Sequence, residues 1–214
     1  MQKHKIKICG MRDVENVKQI LGLEPDYLGF ILFEKSSRYV SKAQMKELIK
    51  LNFGETETVG VFVNESVEKI LAYADEGFFN VVQLHGTEPP ETVVALKEEG
   101  LEVIKVFSVD DDFDAKVLSK YAEADYFLFD TKGKSPGGNG IKFNWEVLEK
   151  SKIKKPFFLS GGLEVKDVEL VNSLSFKNLY ALDFNSKLET APGLKDLEKV
   201  KELLKPPNPQ RGNG

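Results

Sequence analysis

Short apolar runs alternate with longer amphipathic segments from one end of the 214-residue chain to the other. The runs at 4–9, 27–33, 58–63, 81–84, 103–107, 126–130, 157–160 and 179–183 predict β-strands. Several are nearly continuous in hydrophobicity, the pattern of strands covered on both faces. Between them, 42–51, 67–74, 91–99, 145–150, 165–174 and 194–204 carry the spacing of amphipathic helices. Ser41, Asn64 and Asn144 stand where N-caps belong, and Pro89-Pro90 can open the fourth helix, where a missing backbone donor costs little.

Eight strand–helix units repeating every ~25 residues predict an α/β chain folded as a closed (β/α)8 TIM barrel, a single domain over 1–205. The alternative is an open doubly wound sheet, which usually has fewer strands and a glycine-rich fingerprint after the first. Gly10-Met11-Arg12-Asp13 carries no such fingerprint, so the barrel is favoured. Residues 206–214, rich in proline, glycine and asparagine without apolar periodicity, predict a disordered tail or a remnant of a longer parent chain.

Composition narrows the class. Hydrophobic residues at 41% and charged residues at 30% are a globular balance that can fill one large core. A formal net charge of -4 argues against nucleic acid or an anionic membrane as the main partner. The single cysteine excludes an intramolecular disulfide and any multi-cysteine metal site, and a free thiol suits a reducing cytoplasm. No apolar run has the length of a membrane span, and no signal-peptide core follows Met1.

In such barrels the chemistry sits at the C-terminal strand ends. Those positions hold Cys9, the loop 34–38, Asn64, His85, Asp130-Thr131, Ser160-Gly161-Gly162, Asp183 and Asn185-Ser186. Cys9, before a glycine, reads either as a buried small hydrophobe or as a thiolate base or nucleophile at the mouth. Ser160-Gly161-Gly162 and Asn185-Ser186-Lys187 follow the last two strands, the usual place for a phosphate held by backbone N–H groups near a helix N-terminus. Gly-Gly as a simple tight connection is the plainer reading. Arg38 reads as a solvated basic turn or as a fork for a carboxylate. The stretch 133–140 reads equally as a surface loop or as a loop closing over a ligand. His85 faces the same mouth, although lone histidines are usually neutral and hydrogen-bonded, and two histidines with one cysteine do not make a metal site. The acids at 110–114 lack the glycine and glutamate of a calcium loop and read as helix N-terminal acids.

Together these segments resemble the phosphoribosylanthranilate isomerases, (β/α)8 enzymes of tryptophan biosynthesis. The resemblance runs from Lys5 to about 204, through KICGM at 7–11, GFILFEKSSRYVS at 29–41, VGVFVN at 59–64 and VVQLHGTE at 81–88. It continues through FLFDT at 127–131, GGNG at 137–140, FFLSGGL at 157–163 and LDFNSKLETAPGLKD at 182–196. It implies an Amadori rearrangement of N-(5-phosphoribosyl)anthranilate, a small sugar phosphate, in a cytoplasmic monomer or homodimer. Asp130 would be the general acid that opens the furanose, and Cys9 the base that takes the C2 proton. Arg38 would hold the anthranilate carboxylate, and the turns at Gly161-Gly162 and Ser186-Lys187 the phosphate. His85 and Asp183 would complete the substrate site. No metal or cofactor is required, because the reaction is only proton transfer. Where the family usually has Ser-Ser-Gly after strand eight, this chain has Asn185-Ser186-Lys187, which adds a Cβ at the phosphate turn. Histidine-pathway isomerases place an aspartate at the first strand end, and Cys9 separates this chain from them. A catalytically silent phosphate-binding barrel would not be expected to retain Cys9, Arg38 and Asp130 together.

Overall fold

The computed structural model describes residues 4–131 and 144–205; the glycine-rich stretch at 133–140 and the tail at 206–214 lie outside the described residues. Eight parallel strands close into a barrel in sequence order: β1 (Lys5–Cys9), β2 (Tyr27–Ile31), β3 (Glu57–Phe62), β4 (Val81–Leu84), β5 (Glu102–Val109), β6 (Tyr126–Thr131), β7 (Phe157–Leu159) and β8 (Leu179–Phe184). Closure is made by β1 against β8, with Lys7 in register with Asp183. The open-sheet alternative is thereby excluded.

Helices α1 (Val14–Leu21), α2 (Lys42–Leu48), α3 (Val67–Ala74), α4 (Pro90–Glu98), α5 (Glu146–Lys150), α6 (Asp167–Ser173) and α7 (Leu197–Leu204) follow their strands. After β5 a 3-10 segment, Ala115–Tyr121, takes the helix position, capped by the Asp114 carboxylate on the Lys116 N–H. Ser41 caps α2 through a complete capping box with Gln44, and Pro90 stands at the start of α4. Asn64 is not a cap. Ser66 caps α3, while Asn64 takes φ +52° and accepts the Thr87 N–H across the mouth. Asn144 accepts the Glu146 N–H at the start of α5. The segment expected as one helix over 194–204 is divided: Leu194–Lys195 (β10) pairs antiparallel with Glu189–Ala191 (β9), and α7 begins only after Asp196 caps it. Pro192-Gly193 lets the chain reverse there, with Gly193 at φ +83°.

Strand alternation builds two apolar layers. Outward residues such as Ile6, Ile8, Leu28, Phe30, Val82 and Leu84 pack under the helices. Inward residues, among them Cys9, Val59, Val61, Ile104, Leu128 and Phe158, fill the barrel. At the N-terminal ends Tyr27, Tyr126 and Tyr180 close the bottom, with the Tyr27 and Tyr180 hydroxyls 2.9 Å apart and the Tyr126 ring stacked on Tyr180. A barrel filled below leaves its polar residues at the upper ends.

Candidate active site

On β1 the two-residue period turns Lys7 and Cys9 to the same interior face, Lys7 one step below. Lys7 is fully buried, and its Nζ donates to Asp183 Oδ1 at 2.8 Å. Gly29 makes room for the thiol: a Cβ built there would stand 2.8 Å from Cys9 Sγ. Burial pushes the Cys9 thiol above its ordinary value; Lys7 pulls it down, Asp183 pushes it up and Lys195 pulls it down. Burial likewise raises Asp183, against the pull of Lys7. Burial lowers Lys7, but Asp183 and Cys9 more than reverse that, so the ammonium is retained. Of this triad, Lys7 is marked in the sequence only by its place, a lysine inside an apolar strand two positions before the cysteine.

Asp130, inward on β6 after Leu128, is the second group. Its Oδ1 accepts the Thr131 N–H at 2.9 Å, and Oδ2 lies 3.4 Å from His85 Nε2. On its other side, His85 Nδ1 is 3.1 Å from the Gln83 amide nitrogen. The loop holding His85 is tied from beneath by Glu88, which accepts from the Asn64 and Gly86 backbone N–H groups at 2.8 and 2.9 Å. Lys105 completes that anchor, donating to Glu88 at 2.7 Å and to the Gly86 carbonyl at 2.8 Å. Both side chains are buried, so the ion pair carries its own hydrogen-bond partners rather than water.

Arg38 is the third. Its Nε and Nη2 form a fork on the Glu189 carboxylate, at 2.8 and 2.7 Å, and its side chain is only 14% exposed, which rules out a solvated turn. Glu189 also accepts from Lys195 Nζ at 2.7 Å, and Lys195 reaches the Asn185 side chain at 2.9 Å. Burial lowers Lys195 to about 8 against the opposing charge of Glu189. Burial would raise Glu189, yet Arg38 and Lys195 outweigh it and hold its carboxyl below the usual range. Glu189 and Lys195 lie on the small β9–β10 hairpin, which no periodicity in the sequence marks.

One cleft gathers most of these groups. Counting the space open at its mouth it measures about 630 Å³, and Cys9, Gln83, His85, Asp130 and Asp183 line it. Gly162, Ser186 and Lys187 form its far wall, with Ser160 and Asn185. Arg38 and Gly161 are not among the lining residues: Arg38 stands behind Asn185 on Glu189, and Gly161 turns toward Thr131. Gly161 and Gly162 have φ of +92° and +70°, where a side chain would be strained. The helix expected over 165–174 begins at Asp167, so no helix N-terminus stands at that turn. After β8 the 3-10 turn Ser186–Leu188 takes the corresponding place. Cys9, Asp130, Gly162, Ser186 and Lys187 therefore line one cleft.

A family model described as N-(5'phosphoribosyl)anthranilate (PRA) isomerase matches residues 6–206. An N-(5'-phosphoribosyl)anthranilate isomerase of Phocaeicola vulgatus is 44% identical over 192 residues, covering 89% of this chain and 91% of the relative. One from Parabacteroides distasonis is 35% identical over 204 residues, covering 93% and 91%. The solved phosphoribosyl anthranilate isomerase of Thermotoga maritima superposes with a TM-score of 0.84 at 33% identity, over 94% of this chain and 97% of that one. A solved isomerase in complex with reduced 1-(o-carboxyphenylamino)-1-deoxyribulose 5-phosphate gives a TM-score of 0.81 at 32% identity, over 94% and 96%.

Proposed function

This chain belongs to the family of N-(5'-phosphoribosyl)anthranilate isomerases, and from that membership we propose how its own side chains carry the reaction. The enzyme catalyses an isomerase step of tryptophan biosynthesis, converting N-(5-phosphoribosyl)anthranilate to 1-(2-carboxyphenylamino)-1-deoxyribulose 5-phosphate. The observation that carries the residue assignment is the placement of Cys9 and Asp130, from β1 and β6, on one cleft.

Asp130 gives its proton to the furanose ring oxygen, the ring C–O bond breaks, and a cationic Schiff base forms at C1. The Asp130 carboxylate left behind keeps the Thr131 N–H donor on Oδ1. Cys9, as thiolate, takes the proton from C2, and the electron pair neutralises the Schiff base to an enolamine. Loss of the C2 hydroxyl proton and gain of one at C1 yield the ketone, so no proton is consumed overall. In the free site burial disfavours the thiolate. Lys7 and the cationic Schiff base then supply the positive charge that stabilises it. The phosphate rests against the backbone at Gly162 and Ser186, with the Lys187 ammonium beside it. Arg38 lies outside the cleft lining with its Nε and Nη2 held by Glu189, so only its Nη1 would be left to reach the anthranilate carboxylate at the cleft's edge. An unpaired Cys9 and a biosynthetic role fit a cytoplasmic site of action.

The test is fluorescence loss of the anthranilate substrate with wild type, Cys9→Ala and Asp130→Asn. General acid–base groups contribute about 10²–10⁴-fold, so each variant should lose kcat by that order with its fold intact. Near-wild-type kcat in Cys9→Ala removes it from the mechanism. If Asp183→Asn is crippling while Asp130→Asn is mild, the acid is Asp183.

A further inference from the structure

We propose that Gln83 is a positioning residue: its amide N–H holds His85 in the tautomer that points a proton at Asp130, and its amide oxygen receives a hydroxyl of the bound sugar. This rests on the assignment of Asp130 as the acid.

Gln83 faces the barrel interior on β4, two residues after the inward Val81 and two before His85. It is 1% exposed and lines the cleft beside Cys9 and Asp130. Its Nε2 lies 3.1 Å from His85 Nδ1. With its nitrogen toward the ring the amide donates and Nδ1 accepts, which assigns the neutral ring's proton to Nε2. That atom is the one 3.4 Å from Asp130 Oδ2. When Asp130 gives up its proton, Nε2–H on one oxygen and the Thr131 N–H on the other already face the carboxylate that forms. The opposite tautomer would turn a lone pair toward the new charge. A donor aimed at charge that develops in the transition state raises kcat without tightening ground-state binding.

The amide oxygen supplies the second half. Gln83 Oε1 is buried and has no hydrogen-bond partner among the described residues. Leaving a buried acceptor unpaired is costly, and such groups often mark a place where a ligand completes the bonding. With Nε2 committed to His85, Oε1 has a fixed direction in the cleft wall. The anthranilate carboxylate and the phosphate are acceptors at neutral pH and cannot satisfy it, and the anilino N–H is taken by its own ortho carboxylate. A ribose hydroxyl can.

The chain has 2 histidines, so histidine-specific 15N labelling of the full-length, ligand-free protein gives a two-site spectrum that His85→Asn assigns. Wild-type His85 should show a protonated Nε2 and a bare Nδ1. Gln83→Glu offers only an acceptor, so Nδ1 should gain a proton, and kcat should fall about tenfold or more with the circular dichroism unchanged. Gln83→Met removes the donor and should let the Nδ1–H tautomer appear. It should also bind reduced 1-(o-carboxyphenylamino)-1-deoxyribulose 5-phosphate about three- to tenfold more weakly, the effect of one neutral hydrogen bond. A wild-type proton on Nδ1, or a bare Nδ1 retained in Gln83→Glu, overturns the proposal. Should Gln83→Glu not fold, a single Nε2–H tautomer in Gln83→Met overturns it equally. Unchanged affinity in Gln83→Met refutes the hydroxyl contact. The tautomer is read without substrate, so an inactive wild type would sink the catalytic reading separately.

Discussion

Replacing Asp183 by Asn removes a charge from the barrel interior while keeping an oxygen that Lys7 can donate to. In the wild type the contact is 2.8 Å, with Lys7 fully buried and Asp183 5% exposed. At an effective dielectric constant of about 20 that distance corresponds to about 6 kcal/mol of attraction. Desolvating the two ions costs several kcal/mol each, so the intact pair adds little net stability. Breaking it is different, because the ammonium is left buried without a counter-ion. That costs about 3–5 kcal/mol, which at about 2–4 °C per kcal/mol for a chain of this size lowers Tm by about 6–20 °C. Domains of this kind have about 5–15 kcal/mol in hand, so Asp183→Asn should still fold at room temperature. A second consequence follows from the charges around Cys9. Asp183 pushes the thiol up, and its loss leaves Lys7 and Lys195 facing burial alone, so Cys9 should titrate at lower pH than in wild type. Urea unfolding and thiolate absorbance during alkaline titration measure the two effects. Lys7→Met/Asp183→Leu, which removes both charges, should recover much of the stability. A loss below about 1 kcal/mol for Asp183→Asn, with an unshifted thiol, would refute the buried-charge argument.

Three further outcomes are expected. In wild type the Cys9 thiol, raised chiefly by burial, contributes stability that is fully present below the ordinary thiol range and lost as pH rises through its folded value; alkaline titration against Cys9→Ala should show no thiolate at neutral pH, and a neutral-pH thiolate would mean that Lys7 and Lys195 outweigh burial. Burial raises Glu189, but Arg38 and Lys195 hold it below the carboxylate range, so its contribution is present above that range and lost as pH falls. Glu189→Gln should therefore flatten the acid side of the urea-midpoint profile and raise KM through a loosened Arg38, and an unchanged profile with unchanged KM would detach Glu189 from the clamp. Lys187 lines the cleft, so Lys187→Gly should raise KM several-fold at low ionic strength (about the size of one exposed charge contact), with the difference fading in salt; equal KM values in low salt would assign the phosphate to backbone donors alone.

Local pattern carried most of the fold. Eight apolar runs at a regular repeat determine parallel strands with crossover helices, and strand alternation sends Cys9, Asp130 and Asp183 inward, because side-chain direction depends only on position along a strand. Ser41 and Pro90 were legible as helix starts for the same reason, since caps act within one turn. Closure was not local. Lys7 meets Asp183 across 176 positions and Arg38 meets Glu189 across 151, contacts that exist only because β8 returns to β1. No periodicity marks Glu189 and Lys195 as partners of a clamp, since a short hairpin divides what reads as one amphipathic run. Asn64 fits an N-cap by type, yet the Thr87 and Glu88 contacts across the mouth draw it into a positive φ instead. The sequence thus determined which residues face the mouth. The tertiary structure decided which charges are paired there, because burial and opposite charge act through space and not along the chain.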